Sequence, residues 1–235
     1  MAVLSKDTID TIIKAVKTAR IFDVESFIIE PDRIRGMSES RSAFLYNGGL
    51  NIDIECAIGI NRSDILVNRL TLFDGREDRT IECKIDDRTG EAHSLIIKSN
   101  KVKAEYKCAK VKAIRAPKSI YVEKEYHLEI GEDAVNMIVK ADAAMKAETL
   151  VIRCNDDVIT YEFKDSNNDV FQYEAGNRMV NLINDQPANL SYCYPVKVIL
   201  LALKHNICGN FFITEKGMLA TEVNGMTIYI PSKKE

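Results

Sequence analysis

The sequence predicts an α+β fold of two similar halves, each packing two helices against short antiparallel strands. Three observations lead there. Apolar stripes at helical spacing occur four times. Pro, Gly, Asn and Asp break the runs between them at hairpin distances. The order of elements in the first half then returns in the second.

The first helix is expected from Ser5 to Ala19, with Ile9, Ile12, Ile13 and Val16 on one stripe and Ser5 or Asp7 as cap. Phe27–Met37 reads as two strands about the Pro31-Asp32 turn. Ser42–Tyr46 is a third strand, closed by Asn47-Gly48-Gly49. A second helix follows over Asp64–Phe73 with Ser63 as its cap. Arg79–Ile85 and Ser94–Ser99 form a hairpin about Asp86–Gly90, and Lys103–Ala109 is a further strand.

The second half repeats the scheme. Tyr126–Ile130 leads into a helix over Glu132–Lys146, with Ala134, Met137, Ile138, Ala141 and Met145 as its buried stripe. Leu150–Cys154 and Val158–Phe163 make a hairpin, and Val170–Tyr173 is the next strand. Pro195 suits a first helical position, and Val196, Ile199, Leu200 and Leu203 line one side of the fourth helix. Phe211–Thr214, Leu219–Val223 and Thr227–Ile230 finish the chain, the last two joined by Asn224-Gly225. Ile12-Ile13-Lys14-Ala15 reads against Ile138-Val139-Lys140-Ala141, so the halves look like two domains of roughly 115 residues. The predicted boundaries are 1–112 for the first domain, 113–125 for a basic connector centred on Ala116-Pro117-Lys118, and 126–235 for the second.

Of the 235 residues, 46% are hydrophobic and 29% charged, which suits a soluble globular chain. The longest apolar candidate, Val196–Leu203, is interrupted by Lys197 and falls short of the ~18 residues of a membrane span. Met1–Asp7 lacks a signal peptide's charged start and apolar middle, so a cytoplasmic location is expected. Six cysteines stand singly, without a C-x-x-C pair or zinc-finger spacing to histidine. They read as small packing residues in a reducing compartment. The net charge is −3, so a polyanionic partner would have to meet positive charge gathered on one surface.

Enzyme chemistry finds little support. His93, His127 and His205 lie in unlike contexts with no nucleophile motif beside them, and no phosphate-binding loop of the G-x-x-x-x-G-K-[ST] type occurs. Asp165–Asp169 starts like a calcium loop, but Val170 stands where glycine is required and Gly176 where glutamate is. It reads as a hairpin turn. Asp86-Asp87 and Asp156-Asp157 are likewise turns. No catalytic residue, metal site or cofactor is predicted.

With the elements in this order, the chain resembles the sliding DNA clamps of tailed phages and of the proliferating-cell-nuclear-antigen type. Leu4-Ser5-Lys6-Asp7-Thr8 is similar to the opening of a phage clamp, and Ile228–Lys233 to the last strand and tail of the cellular type. The resemblance covers essentially the whole chain as an order of elements more than as identities. It implies two clamp domains, each with two helices on curved antiparallel sheet, joined head to tail through edge strands into a closed ring. Twelve helices spaced at ~9 Å make a circle about 34 Å across and roughly 24 Å inside, whereas eight leave only about 13 Å. A chain with four helices is thus expected to form a homotrimer.

The resemblance also implies sites. Helices facing the hole meet phosphate through lysine and arginine without reading sequence, which suits a protein that slides. The candidates are Lys6, Lys14 and Lys17 on the first helix, Arg62 and Arg69 at the second, Lys140 and Lys146 on the third, and Lys197 and Lys204 on the fourth. A groove for partner peptides would be lined by Phe44, Leu45, Ile120, Tyr121, Tyr229, Ile230 and Pro231. The implied partners are double-stranded DNA bound without sequence preference, a replicative DNA polymerase tethered for processive synthesis, an ATP-dependent clamp loader, and further copies of the chain; no membrane is involved. The rival readings are a β-rich virion or scaffold protein assembling through edge strands, and a non-catalytic transcription accessory clamp.

Overall fold

The computed structural model describes residues 2–76, 78–120, 122–156, 158–176, 179–184, 188–206 and 209–233. The chain forms two compact units, Met1–Ile120 with Asn224–Met226, and Tyr121–Val223 with Thr227–Glu235.

The first unit holds β1 (Ala2–Val3), α1 (Lys6–Ile21), β2 (Phe27–Glu30), β3 (Arg33–Met37), β4 (Phe44–Gly48), β5 (Ile58–Ile60), α2 (Ser63–Thr71), β6 (Thr80–Ile85), β7 (Ala92–Ser99) and β8 (Val102–Lys107). One sheet runs in the order β1-β6-β7-β8, and β4, β3, β2 and β5 are successive neighbours in another. All these pairings are antiparallel. The start of α1 is fixed by Ser5, whose hydroxyl accepts the Thr8 N–H at 3.3 Å, with Asp7 in the first turn and Arg20 in the last, as the helix dipole favours. Ile9, Ile12, Ala15, Val16 and Ala19 are buried, and α1 packs on α2.

Two local expectations are corrected. Ser63 is not a cap: it is the buried first residue of α2, and Arg62 holds the cap position with no side-chain bond to the helix. Ser63 already has a place in the helix, one position past the cap. Asn47 and Gly48 still belong to β4, opposite Ile34 and Arg33, and the positive φ of this turn falls at Gly49 (69°).

The second unit holds β9 (Lys124–Glu129), α3 (Glu132–Met145), β10 (Thr149–Asn155), β11 (Val158–Lys164), β12 (Val170–Ala175), β13 (Met179–Asn181), β14 (Leu190–Pro195), α4 (Val196–His205), β15 (Asn210–Thr214), β16 (Leu219–Val223) and β17 (Met226–Ile230). Its sheets run β12-β11-β10-β14 and β13-β9-β15-β16-β17. α3 packs on β11, β12 and α4, while α4 also packs on β14 and β16. Glu132 and Asp133 occupy the favourable first turn of α3. Lys146 ends the helix in the left-handed region (φ 52°), its N–H bonded to the Asp142 carbonyl. Between β11 and β12, Asp165 accepts the N–H groups of Asn167 and Asp169 at 2.8 and 2.9 Å, so this acidic stretch is a hairpin turn. Asn224 and Gly225 both have positive φ, as the two-residue turn expected there requires.

The result is an α+β chain with four helices on antiparallel sheets. The internal match holds at the level of burial: Ile12 and Ile138 are buried, Lys14 and Lys140 exposed, Ala15 and Ala141 buried again. At these three positions α1 and α3 share one pattern of burial, while Ile13 is half-buried and Val139 exposed.

Candidate functional site

The helices carry the candidate charges, and their faces differ. On α1, Lys6, Asp10, Lys14, Lys17 and Arg20 are all exposed. At 100° per residue they share an arc of about 120°. Arg20 was not among the sequence candidates, although it lies three residues beyond Lys17 on the same stripe. The acid on that stripe is Asp10. On α4, Lys197 and Lys204 are exposed two turns apart, one above the other. On α3, Lys140 stands among exposed Asn136, Ala143 and Ala144, with Lys146 exposed at the cap.

α2 differs from the others. Its exposed face is Asp64, Asn68 and Thr71, with no cation. Arg62 lies just before the helix and donates to the Lys107 carbonyl at 3.4 Å, while Arg69, half-buried, donates to the Glu105 carbonyl. Both guanidinium groups lie over the Tyr106 ring, 5.6 and 5.9 Å from its centroid. Tyr106 is itself buried, and its hydroxyl accepts the N–H groups of Asn61 and Arg62. These two arginines thus fasten α2 to β8 around one buried ring.

The expected groove residues divide by accessibility. Leu45 and Ile230 have no exposed surface. Phe44, Ile120, Tyr229 and Pro231 are half-buried, and Tyr121 lies outside the described residues. The connector is tied down at Pro117, whose carbonyl accepts from Arg35 at 3.4 Å.

The described cysteines are free thiols. Cys56 and Cys83 are buried with their sulfurs 3.8 Å apart, and burial pushes the Cys83 thiol up to about 12. A thiol so disfavoured as thiolate is a packing residue rather than a nucleophile. Cys208 lies outside the described residues. No group of three His, Cys, Asp or Glu side chains placed to hold a metal occurs among the described residues. No helix there is long and apolar enough to cross a membrane.

This architecture is that of the sliding clamps. No protein-family model matches the chain, and no curated protein matches it in sequence. Solved structures do. A putative DNA polymerase III beta subunit from Eubacterium rectale is 12% identical, with a TM-score of 0.66 over 99% of this chain and 64% of its own. The beta clamp of H. pylori is 14% identical, with a TM-score of 0.64 over 99% of this chain and 63% of its own. The PCNA of A. fulgidus, solved with the C-terminal region of FEN-1, is 15% identical, with a TM-score of 0.61 over 99% of this chain and 98% of its own. The chain thus spans just under two thirds of the bacterial clamps but nearly all of the archaeal one. At these identities the likeness is one of fold.

Proposed function

We propose that this chain is the protomer of a ring that encircles duplex DNA without sequence preference and tethers a replicative polymerase for processive synthesis. The observation that carries it is the doubled helix pair on clamp-fold units, with exposed Lys14 and Lys140 at matching positions and a run of cations along α1. Positive charge without base-specific geometry suits a surface that slides along phosphate. Tethering then acts through effective concentration: a polymerase that releases the primer stays beside it.

The ring is a homotrimer. Four helices per chain reach twelve in three copies, and the match to the A. fulgidus PCNA spans 99% of this chain and 98% of that one. A solved PCNA2–PCNA3 complex from Sulfolobus tokodaii supports assembly between chains of this fold. Partner peptides dock on the accessible residues of the last strand, Tyr229 and Pro231. The PCNA bound to the FEN-1 C-terminal region and the H. pylori clamp bound to a DNA ligase peptide support such a use of the fold. An ATP-dependent loader opens the ring, because a closed ring needs an outside source of work to admit circular DNA.

The test is topological. Purified protein measured by light scattering should have the mass of three 26.5 kDa chains. Loaded onto nicked circular DNA it should stay, and it should leave once the circle is cut. Equal retention before and after cutting overturns the ring. An indefinitely growing polymer without effect on DNA synthesis favours a scaffold.

A further inference from the structure

We propose that the outer face of the second unit's sheet β13-β9-β15-β16-β17 docks an extended, apolar segment of a partner protein, continuing from the anchor at Tyr229 and Pro231; this rests on the function proposed above. An antiparallel sheet with one face on the core presents polar residues on the other. The inward residues follow that rule, Leu128, Phe211, Ile213 and Leu219 having no exposed surface. The outward ones do not. Val180 lies opposite His127, His127 opposite Phe212, and Phe212 opposite Ala220, a row across four strands. β17 follows β16 in the sheet through the two-residue turn Asn224-Gly225, which carries the row on to Tyr229.

Val180 is 51% exposed, and Leu182 and Ile183, just beyond it, are 49% and 59% exposed. These three carry apolar surface into water at the end of the sheet, where the far edge of β13 pairs with no described strand. In the middle of the row the rings are held. His127 donates from Nε2 to the Asn210 side-chain oxygen at 3.0 Å, and its ring lies 5.1 Å from that of half-buried Phe212. A side chain already held loses little freedom when a partner covers it. Charge does not choose the partner. Lys124, with Nζ 3.9 Å from the Phe212 ring centroid, shares β9 with Glu125 and Glu129, so both signs border the row. Apolar contact is what selects. Five strands at ~4.8 Å spacing put Tyr229 about 19 Å from Val180, a distance that roughly six extended residues span.

The test compares peptides by calorimetry. A polymerase-derived peptide holding only the anchor is set against the same anchor lengthened by about six of its native flanking residues, at the N-terminal or at the C-terminal end. One of the two longer peptides should bind wild type at least tenfold tighter than the short one. Phe212→Ser should remove most of that gain and Val180→Ser part of it, with affinity for the short peptide unchanged in both. The gain should persist at high salt, where contacts between exposed charges fade, and vanish when the added apolar residues are replaced by serine. Val180 is half exposed, so Val180→Ser carries the test if Phe212→Ser proves unstable. No gain from either extension, or a gain untouched by Val180→Ser, overturns the inference. So does a change in assembly mass in the variants, which would give the row to a second copy of the chain. A short peptide that fails to bind overturns docking at Tyr229 and this inference together, whereas binding without gain overturns this inference alone. Retention of wild type on circular DNA depends on neither outcome.

Discussion

Arg35 grips the carboxylate of Glu30 with two nitrogens, Nε to Oε2 at 2.8 Å and Nη2 to Oε1 at 3.1 Å. Arg33 adds a third bond, to Oε2 at 2.7 Å. Both Glu30 and Arg35 are 16% exposed, and Arg35 also reaches the Pro117 carbonyl. One half-buried carboxylate therefore organises the β2–β3 hairpin and, through Arg35, the chain segment that leaves the first unit.

Glu30→Gln should lower stability by about 2 kcal/mol at neutral pH, because charge-assisted bonds are lost and two arginines are left short of an acceptor. The loss should depend on pH. Arg35 first, opposed by burial and then reinforced by Arg33, holds the Glu30 carboxyl below its ordinary value. Its contribution is full above the unfolded value, about 4.3, and fades as pH falls through the lower folded value. Melting temperatures of wild type and variant should therefore draw together only as pH falls below about 4.3, and meet below the lowered folded value. A gap independent of pH would show that Glu30 acts through shape and not charge.

Gly59→Ala should be costly for a different reason. Gly59 pairs with Ala109, whose N–H bonds to its carbonyl at 2.9 Å. A Cβ at Gly59 would lie 2.3 Å from the Ala109 oxygen and 3.1 Å from Ile114 Cδ1. Overpacking of this kind costs about 2 kcal/mol, or roughly 4–8 °C in melting temperature for a chain of this size. Gly49→Ala has nothing within 4 Å and only its positive φ to strain it, so it should cost less. Equal melting temperatures for the two variants would contradict the close approach at Gly59.

How much of this was legible beforehand follows from which signals are local. The stripes Ile9-Ile12-Val16 and Val196-Ile199-Leu203 give α1 and α4 within a few residues, because burial on one face imposes the helical period. Strands with strong turns also read well: β2 and β3 meet at Pro31-Asp32 as expected. β5 was not legible. Ile58, Gly59 and Ile60 are all buried, so no alternation marks a strand. The two residues of β1 and the three of β13 are too short for any period. The lysine candidates were legible as exposed because charged residues off the apolar stripe have nowhere else to face. Arg69 was not, since its position beside the stripe left open a partner that only tertiary structure supplies, the Glu105 carbonyl beside the Tyr106 ring.

Reversing Lys14, Lys140 and Lys204 together to Glu should leave folding and trimer mass intact while impairing retention on circular DNA and processive synthesis. All three are exposed, so stability should change by less than about 0.5 kcal/mol each. Each chain then presents three reversed charges to the polyanion, and a trimer nine. Arg69→Gln serves as the contrast, since that side chain is engaged with β8. It should lower melting temperature with little effect on DNA. Undiminished synthesis by the triple variant across a range of salt would mean these lysines do not meet DNA.

The last strand separates docking from packing. Ile230 has no exposed surface, so Ile230→Ala removes core volume and should cost about 2–5 kcal/mol of stability wherever partners bind. Tyr229 and Pro231 alternate with it and are half-buried. They keep surface that a partner can cover, and an aromatic ring beside a proline is the kind of anchor that concentrates binding energy. Tyr229→Ala with Pro231→Ala should therefore weaken binding of a polymerase-derived peptide by more than about 1 kcal/mol, roughly fivefold or more. Calorimetry gives the affinity, and thermal melting of the same samples gives the stability. If docking uses this strand, the half-buried pair moves affinity more than stability, whereas Ile230→Ala moves stability first. The opposite pattern, with peptide affinity untouched by the Tyr229 and Pro231 changes and melting lowered, would make the whole strand a packing element and send the search for the partner surface to Phe44 and Ile120.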